Sequence, residues 1–285
     1  MLDKKTMRRI KIGLFVAVIV VGILYLANKW MIYSRFDNSY PEISFDEELL
    51  QVSVKVTEEE LLQGVTATDK KDGDVSDTLM IESMSKLLEG NQRIITYVAF
   101  DKDNHVGKAE RKIQYTDYTP IRFSLEEPLM VSDYGTELSE ILKPLKVVDC
   151  IDGDLSSQIV MVDYQVETSS SDYRAITYGV QVTSSCGEVA SLPLPVKMRM
   201  DASSQLGKNA TIELSEYLIY KKVGEEIDLP SYITSVIVRG MEQEVSGVEI
   251  SSDLDMTTPG VYTASYSIFQ DDSGTITDLI IVVEE

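Results

Sequence analysis

Two acidic clusters hold the side chains of this sequence best suited to chemistry. Asp69, Asp72 and Asp74 fall in one DKKDGD run, and Asp101 and Asp103 stand in a DKDNH stretch further on. Calcium takes roughly six to eight hard oxygen ligands, and carboxylates gathered at one end of a β-domain can supply them. Without any metal, an Asp-Gly-Asp run makes a tight turn whose carboxylates accept nearby backbone N–H groups. The spacing is not that of an EF-hand, and both alternatives stand on sequence alone; no other cofactor is indicated. The two cysteines, Cys150 and Cys186, read as one disulfide in an exported domain, with two buried free thiols as the alternative. Closing that loop would contribute roughly 3–4 kcal/mol in the chain-entropy model. The single histidine, His105, falls in an expected turn with no nucleophile signature beside it, a poor place for a triad. Neither a phosphate loop, nor HExxH, nor CxxC, nor a G-x-S-x-G elbow occurs, so catalysis is not expected.

Internal repetition positions these residues. VTATDKKDGDV (65–75) is answered by LKVVDCIDGDL (145–155), so Asp69, Asp72, Gly73 and Asp74 recur as Asp149, Asp152, Gly153 and Asp154. EELLQG (59–64) faces SEILKP (139–144), and RIITYVAF (93–100) is answered by RAITYGVQ (174–181). A more divergent copy closes the chain with VGEEIDLPSYI (223–233) and PGVYTASYSIFQDDSGTITDLIIVVEE (259–285), without the Asp-Gly-Asp turn. A repeat of this length marks a tandem array. YVAF, YGVQV, YTASYSI, KAERKIQY and TITDLIIVV alternate with period 2 and predict strands, the last two of each copy forming a hairpin. Thr57 with Glu60 predicts a capping box on one short helical turn ended by Gly64. Matched along the tyrosines, the cysteines replace Lys70 and about His105, and Val182 stands where Asp101 does. Tyr97, Tyr178 and Tyr266 are expected to face the core.

Ahead of the repeats, Ile12–Ala27 runs without a charge, and the apolar element reaches Tyr33. A bilayer core needs roughly 20 helical residues, so 12–33 predicts a transmembrane helix. Lys4, Lys5, Arg8, Arg9 and Lys11 precede it, which places 1–11 in the cytoplasm and the tail outside. A cleaved signal is the rival, opposed by the bulky Tyr25 of Tyr25-Leu26-Ala27 at the −3 position. Residues 1–35 hold seven basic residues and one acid, which leaves 19 basic and 46 acidic residues in 36–285, a net charge of −27. Such a tail repels nucleic acid and anionic lipid, so the expected partners are the bilayer, through 12–33, and a protein or surface ligand.

The order V-x-A-x-D, D-G-D, G-x-Y-x-x-x-Y, D-x-x-G resembles the tandem bacterial immunoglobulin-like domains of Gram-positive surface and secreted proteins. The first copy carries it through Thr66, Ala67, Asp69, Asp72, Gly73, Asp74, Tyr97, Asp101 and Gly107, and the third through Gly260, Tyr262, Tyr266, Asp271 and Gly274. The expected fold is all-β: three tandem Ig-like β-sandwich domains following a single N-terminal transmembrane helix. A juxtamembrane linker is placed at 34–48, the domains at 49–118, 119–200 and 209–285, and a second linker at 201–208. Members of this family serve as spacers, adhesive modules and appendages of enzymes, so fold alone does not choose among these roles. The expectation is a non-catalytic, membrane-anchored extracellular array, a stalk or adhesin whose insert-like stretch 234–250 meets an outside ligand. The alternative is an accessory subunit of an envelope complex for secretion, wall assembly or transport, docking through its helix and first domain.

Overall fold

A computed structural model of the chain describes residues 4–35, 39–129, 131–133, 135–169, 173–200 and 204–285. Residues 36–38 of the expected stalk, 201–203 of the expected linker and the side chain of Tyr33 lie outside the described residues. The helix α1 runs from Lys4 to Arg35 and contains the predicted span. Its stretch Lys5–Ile32, 28 residues with no buried face, is long and apolar enough to cross a membrane. At about 1.5 Å per residue it measures about 42 Å, more than a hydrocarbon core of about 30 Å. An anchor and a secretory signal both answer to that description.

Beyond the helix, alternation has become strands, and one plan is built three times. The first copy holds β1 (Glu42–Phe45), β2 (Leu49–Val52), β3 (Val65–Asp69), β4 (Gly73–Asp74), β5 (Met80–Met84), β6 (Gln92–Phe100) and β7 (Val106–Tyr115). The second holds β8 (Arg122–Leu125), β9 (Ser132–Asp133), β10 (Leu145–Asp149), β11 (Gly153–Asp154), β12 (Val160–Ser169), β13 (Tyr173–Thr183) and β14 (Val189–Arg199). The third holds β15 (Ala210–Leu214), β16 (Leu218–Lys222), β17 (Ile233–Val238), β18 (Met241–Glu242), β19 (Glu249–Ser252), β20 (Gly260–Gln270) and β21 (Ser273–Glu284). In each copy the first, third and fourth strands make one sheet, and the second, seventh, sixth and fifth make the other. This is an Ig-like sandwich. The expected hairpins are β6/β7, β13/β14 and β20/β21, all antiparallel. The short second strands β9 and β16 run parallel to β14 and β21. β1 lies inside the segment read as a linker from sequence and pairs Glu42–Phe45 with Val65–Thr68.

Period-2 alternation decides which residues face inward. Val65, Ala67 and Asp69 of β3 are buried, as are Leu145, Val147 and Asp149 of β10. Each third strand of these copies therefore ends on a buried carboxylate. The predicted helical turn is present as α2 (Glu58–Leu61) with a full capping box between Thr57 and Glu60, and its counterpart α3 spans Leu138–Ile141. Tyr97 is fully buried and its hydroxyl donates to the Leu61 carbonyl at 2.8 Å. Tyr266 repeats this in the third copy, donating to Leu229 at 2.9 Å. Counted from the hairpin turn, the second copy places Val180 there instead, fully buried. Tyr178 lies two residues earlier on the same face, half-buried against Tyr164 with ring centroids 6.4 Å apart.

Two compact units result. The first holds residues 1–52, 56–85 and 92–114; the second holds 115–285 with 53–55 and 86–91. In the first, Tyr97 packs on Phe45, and the buried Arg111 guanidinium lies 5.6 Å from the Phe45 ring centroid. In the second, one apolar cluster includes Phe123, Val147 and Leu194 together with Tyr266, Leu279 and Ile281, so two sandwiches share a continuous core. Charges fasten their junction. Arg122 grips Glu284 through its two terminal guanidinium nitrogens and lies 4.2 Å from the centroid of Tyr220. The Tyr220 hydroxyl accepts the Phe123 N–H at 2.9 Å. Lys197 pairs with Asp278, both side chains nearly buried at 12% and 9% exposure, and Ser265 Oγ donates to Asp278 at 2.6 Å.

A buried pair is costly to break because the surviving charge keeps its desolvation penalty. Lys197→Met should therefore destabilise the full chain in detergent by about 3 kcal/mol, and Lys197→Met with Asp278→Leu should recover most of that loss. Denaturant melts check it; a single variant that melts like the parent removes the pair from the junction's energetics.

Candidate functional site

The acidic residues are positioned by the end of β3 and the turn between β6 and β7. Asp69 leaves the sheet on its inner face, and its Oδ1 accepts the N–H groups of Lys71 (2.7 Å) and Asp72 (2.9 Å). Asp72 in turn accepts the Lys102 N–H at 3.0 Å, tying the two loops. Asp101 accepts the His105 N–H at 2.7 Å on Oδ1, and its Oδ2 stands 2.6 Å from His105 Nδ1. One oxygen from each of Asp69, Asp72 and Asp101 lies within 4.8 Å of the others. The remaining two expected ligands point elsewhere: Asp74 accepts the Ser76 N–H at 3.0 Å, and Asp103 meets Lys71 Nζ at 2.5 Å.

Hydrogen bonding, more than charge, sets the electrostatics here. The Asp72 N–H above all holds the Asp69 carboxyl below the usual range. Burial acts against the charged form of Asp101, but the His105 backbone N–H and ring outweigh it and the pKa is lowered. Asp74 is lowered by the hydroxyl and N–H of Ser76. Three oxygens at this spacing could seat a divalent cation, and Asp69 keeps one oxygen, Oδ2, buried and without a hydrogen-bond partner. Both Asp101 oxygens, however, already engage His105, and Lys102 Nζ stands 3.5 Å from Asp72 Oδ1.

The second copy is an internal control. Asp149 Oδ1 accepts the N–H groups of Ile151 (2.8 Å) and Asp152 (2.6 Å), and Asp152 accepts both the N–H and the hydroxyl of Ser185 at 2.6 and 2.5 Å. Asp154 accepts the Ser156 N–H as Asp74 does for Ser76. In the place of Asp101 stands Ser184, not Val182: Ser184 N–H bonds the Glu188 carbonyl at 2.9 Å, as Asp101 N–H bonds that of His105 at 3.2 Å. Asp149 Oδ2 is also buried without a partner, although only two acids remain. The unpartnered oxygen therefore goes with the loop's fold and is not particular to the three-acid cluster. Cys150 is half-buried and Cys186 buried; both are free thiols, and the bridge expected between them is not made in this structure. Cys186 Sγ lies 3.1 Å from Ser184 Oγ. Nearby, Tyr118 donates to Glu188 at 2.5 Å, and burial, then that carboxylate, push its hydroxyl pKa upward.

The third copy reverses the charges. Val238 takes the buried place of Asp69, and a two-residue turn, Arg239-Gly240, replaces the acidic loop, both residues with positive φ. Arg239 reaches Asp272 at 2.5 Å and Asp271 at 3.2 Å across the β20/β21 turn. The stretch 234–250 is no insert: β17, β18 and the start of β19 repeat the plan of β3, β4 and β5 with a shorter turn. An open groove of about 580 Å³ lies beside Arg239, bounded by Asn209, Ile237 and Asp272. Sequence matching missed Ser184 because it followed the tyrosines, and Arg239 because the third copy lacks the acidic motif that marked this loop. The residues with positive φ before each strand, Asn104 and Gly187, would have given the turn's true alignment.

No protein-family model matches the chain, and no curated protein matches its sequence. Solved structures that it resembles include CBM51-2 with GlcNAc and the INT domains from Clostridium perfringens ZmpB, at 18% identity over 53% of this chain and 26% of that one, TM-score 0.22. The lipoprotein BT2262 from Bacteroides thetaiotaomicron matches at 11% identity over 85% of this chain and 98% of that one, TM-score 0.20. Human CDH23 EC21-23 matches at 10% identity over 86% of this chain and all of that one (100%), TM-score 0.20. The chain spans about a quarter of the ZmpB structure's length.

Asp69→Ala and Asp149→Ala should each cost about 2 kcal/mol, since each strips a charged acceptor from two backbone N–H groups. We expect that loss to be the same in millimolar calcium and in chelator. A melting temperature that rises in calcium, with the rise abolished by Asp101→Ser, would instead place an ion among Asp69, Asp72 and Asp101. Acid has a defined sign here. Asp69, Asp74, Asp101 and Asp154 all titrate below the ordinary carboxyl value when folded. Their stabilisation is complete above the unfolded Asp value near 3.9 and is lost as pH falls through the lower folded values. A pH series of melts should thus show stability falling only below about pH 4 for these groups.

Proposed function

We propose that this chain is a membrane-anchored, non-catalytic bacterial immunoglobulin-like array that holds a binding surface at a set distance outside the cell. α1 would be the uncleaved anchor, with the basic residues Lys5, Arg8, Arg9 and Lys11 of its first turns on the cytoplasmic side. The acidic tail would stand free of anionic lipid and nucleic acid. What carries this reading is the junction of the second unit. Bonded charges and a shared core make two sandwiches into one body, a construction suited to presenting a surface and unnecessary for modules that only bind singly.

The acidic ties serve this role as stiffeners of the loops at one end of each sandwich. Bridged by Asp72–Lys102, Asp152–Ser185 or Arg239–Asp272, the loops stay fixed whichever charges are used.

Protease added to intact cells should remove the tail and leave the α1 segment behind in the membrane. A tail that survives intact overturns the orientation, and a mature chain lacking α1 overturns the anchor. Crosslinking of intact cells followed by pull-down separates roles: envelope proteins recovered only with the native α1 would make the chain an accessory subunit of a complex instead of a stalk.

A further inference from the structure

The fifth strand closes the four-stranded sheet at one edge in every copy, and the second copy's is unlike the others. β5 and β19 are short, five and four residues. β12 has ten residues and is the outermost strand of its sheet. Register shows which way its side chains point. Met161 stands opposite Val180, Tyr164 opposite Tyr178 and Val166 opposite Ile176; Val180 and Ile176 are core residues. Met161, Tyr164 and Val166 therefore lie on the core side of the sheet. In the first copy the corresponding Ile81 and Met84, opposite Tyr97 and Ile95, are half-buried, and in the third so is Ile250, opposite Tyr266. In β12 the row is left open: Met161, Val166 and Tyr164 are 46%, 50% and 62% exposed, and Val160 and Val162 beside them 53% and 54%.

A long, apolar, exposed edge is what natural sheets avoid, because its free N–H and C=O groups invite another strand. Bulges after Met161 and after Val166 leave Asp163–Val166 as the straight stretch, so an added strand would engage about four residues here. Asp163 lies on the side opposite the apolar row, packed over Gly179, where a Cβ would collide with its carboxylate.

We propose that the β12 edge is a strand-addition site for an extended polypeptide whose residues alternate apolar and basic. Apolar side chains of the incoming strand would cover Met161, Tyr164 and Val166, and basic ones would meet Asp163 on the opposite side of the sheet, in a tail whose net charge is −27. Charge argues against a second copy of this chain as occupant, since residues 36–285 carry a net −27 and two such tails repel. The inference deepens the binding reading by naming where and what the array binds, and it is independent of the anchor's orientation.

The test uses the full chain in detergent micelles and a synthetic probe of alternating Lys and Val, with a Glu–Val peptide and an N-methylated Lys–Val peptide as comparisons, read by fluorescence anisotropy. The Lys–Val peptide should bind and the other two should not, since N-methylation removes the backbone donors that strand addition needs. Tyr164→Ser, which keeps the charge and sits at an exposed position, should weaken binding about tenfold or more, whereas Met80→Ser on the β5 edge should leave it unchanged. Binding that ignores N-methylation, or falls equally in both variants, overturns the proposal in favour of diffuse attraction to an acidic surface; so does the absence of any binding. A concentration-dependent dimer in sedimentation that Tyr164→Ser abolishes also overturns it, by making a second copy the occupant. Since none of these readouts involves a cell, failure here leaves the anchored array untouched, and failure of protease shaving leaves the strand site untouched.

Discussion

Each sandwich depends on keeping two loops together: the one that follows its third strand and the turn between its sixth and seventh. These loops belong to different sheets, so the bond between them helps to hold the two sheets in place at that end. The first copy uses the Asp72 carboxylate on the Lys102 N–H, the second Asp152 on Ser185, and the third the Arg239 guanidinium on Asp271 and Asp272. Chemistry changes while the constraint stays. In the first two copies, buried Asp69 and Asp149 pre-form the loop by accepting its own N–H groups; in the third, Val238 fills that place, and the Arg239 N–H of a left-handed Arg239-Gly240 turn donates to the Asn209 carbonyl instead. The carboxylates whose spacing suggests metal ligation also answer this backbone accounting, in which buried N–H groups must find an oxygen.

Three copies of one plan also let each serve as a measure of the others. The tyrosine that anchors the short helical turn is present in the first and third and replaced by Val180 in the second. The edge strand is short in the first and third and long in the second. The second copy thus departs from its neighbours at its core tyrosine, its terminal turn and its free edge, while its partnership with the third copy through Lys197–Asp278 and Arg122–Glu284 joins the two. A module supported by such a junction can leave an edge open at less risk to its own stability, because its core continues into the next sandwich.

Much of the architecture was legible in the residues alone. Period-2 alternation is a local property, so strands, hairpins and inward faces followed from it, as did the helix from its unbroken apolar run and the Thr57–Glu60 capping box from its spacing. Repetition extended one copy's pattern to the rest. What it could not reveal was offset: Tyr178 and Val180 are two residues apart, and a shift of two keeps a side chain on the same face of a strand. The hydrophobic pattern is blind to that displacement, which is why Val182 looked like the partner of Asp101 when Ser184 holds its place.

Tertiary structure alone decided which acids meet. Of the five carboxylates that the spacing brought forward, Asp69, Asp72 and Asp101 converge, while Asp74 and Asp103 are drawn off by Ser76 and Lys71. Those choices turn on a strand end and a hairpin turn separated by some thirty residues and brought together by sheet pairing, which no local spacing encodes. The open apolar row of β12 belongs to the same class. Its residues are apolar enough for a buried strand, and only their place at the outer edge of the folded sheet shows that they are left uncovered.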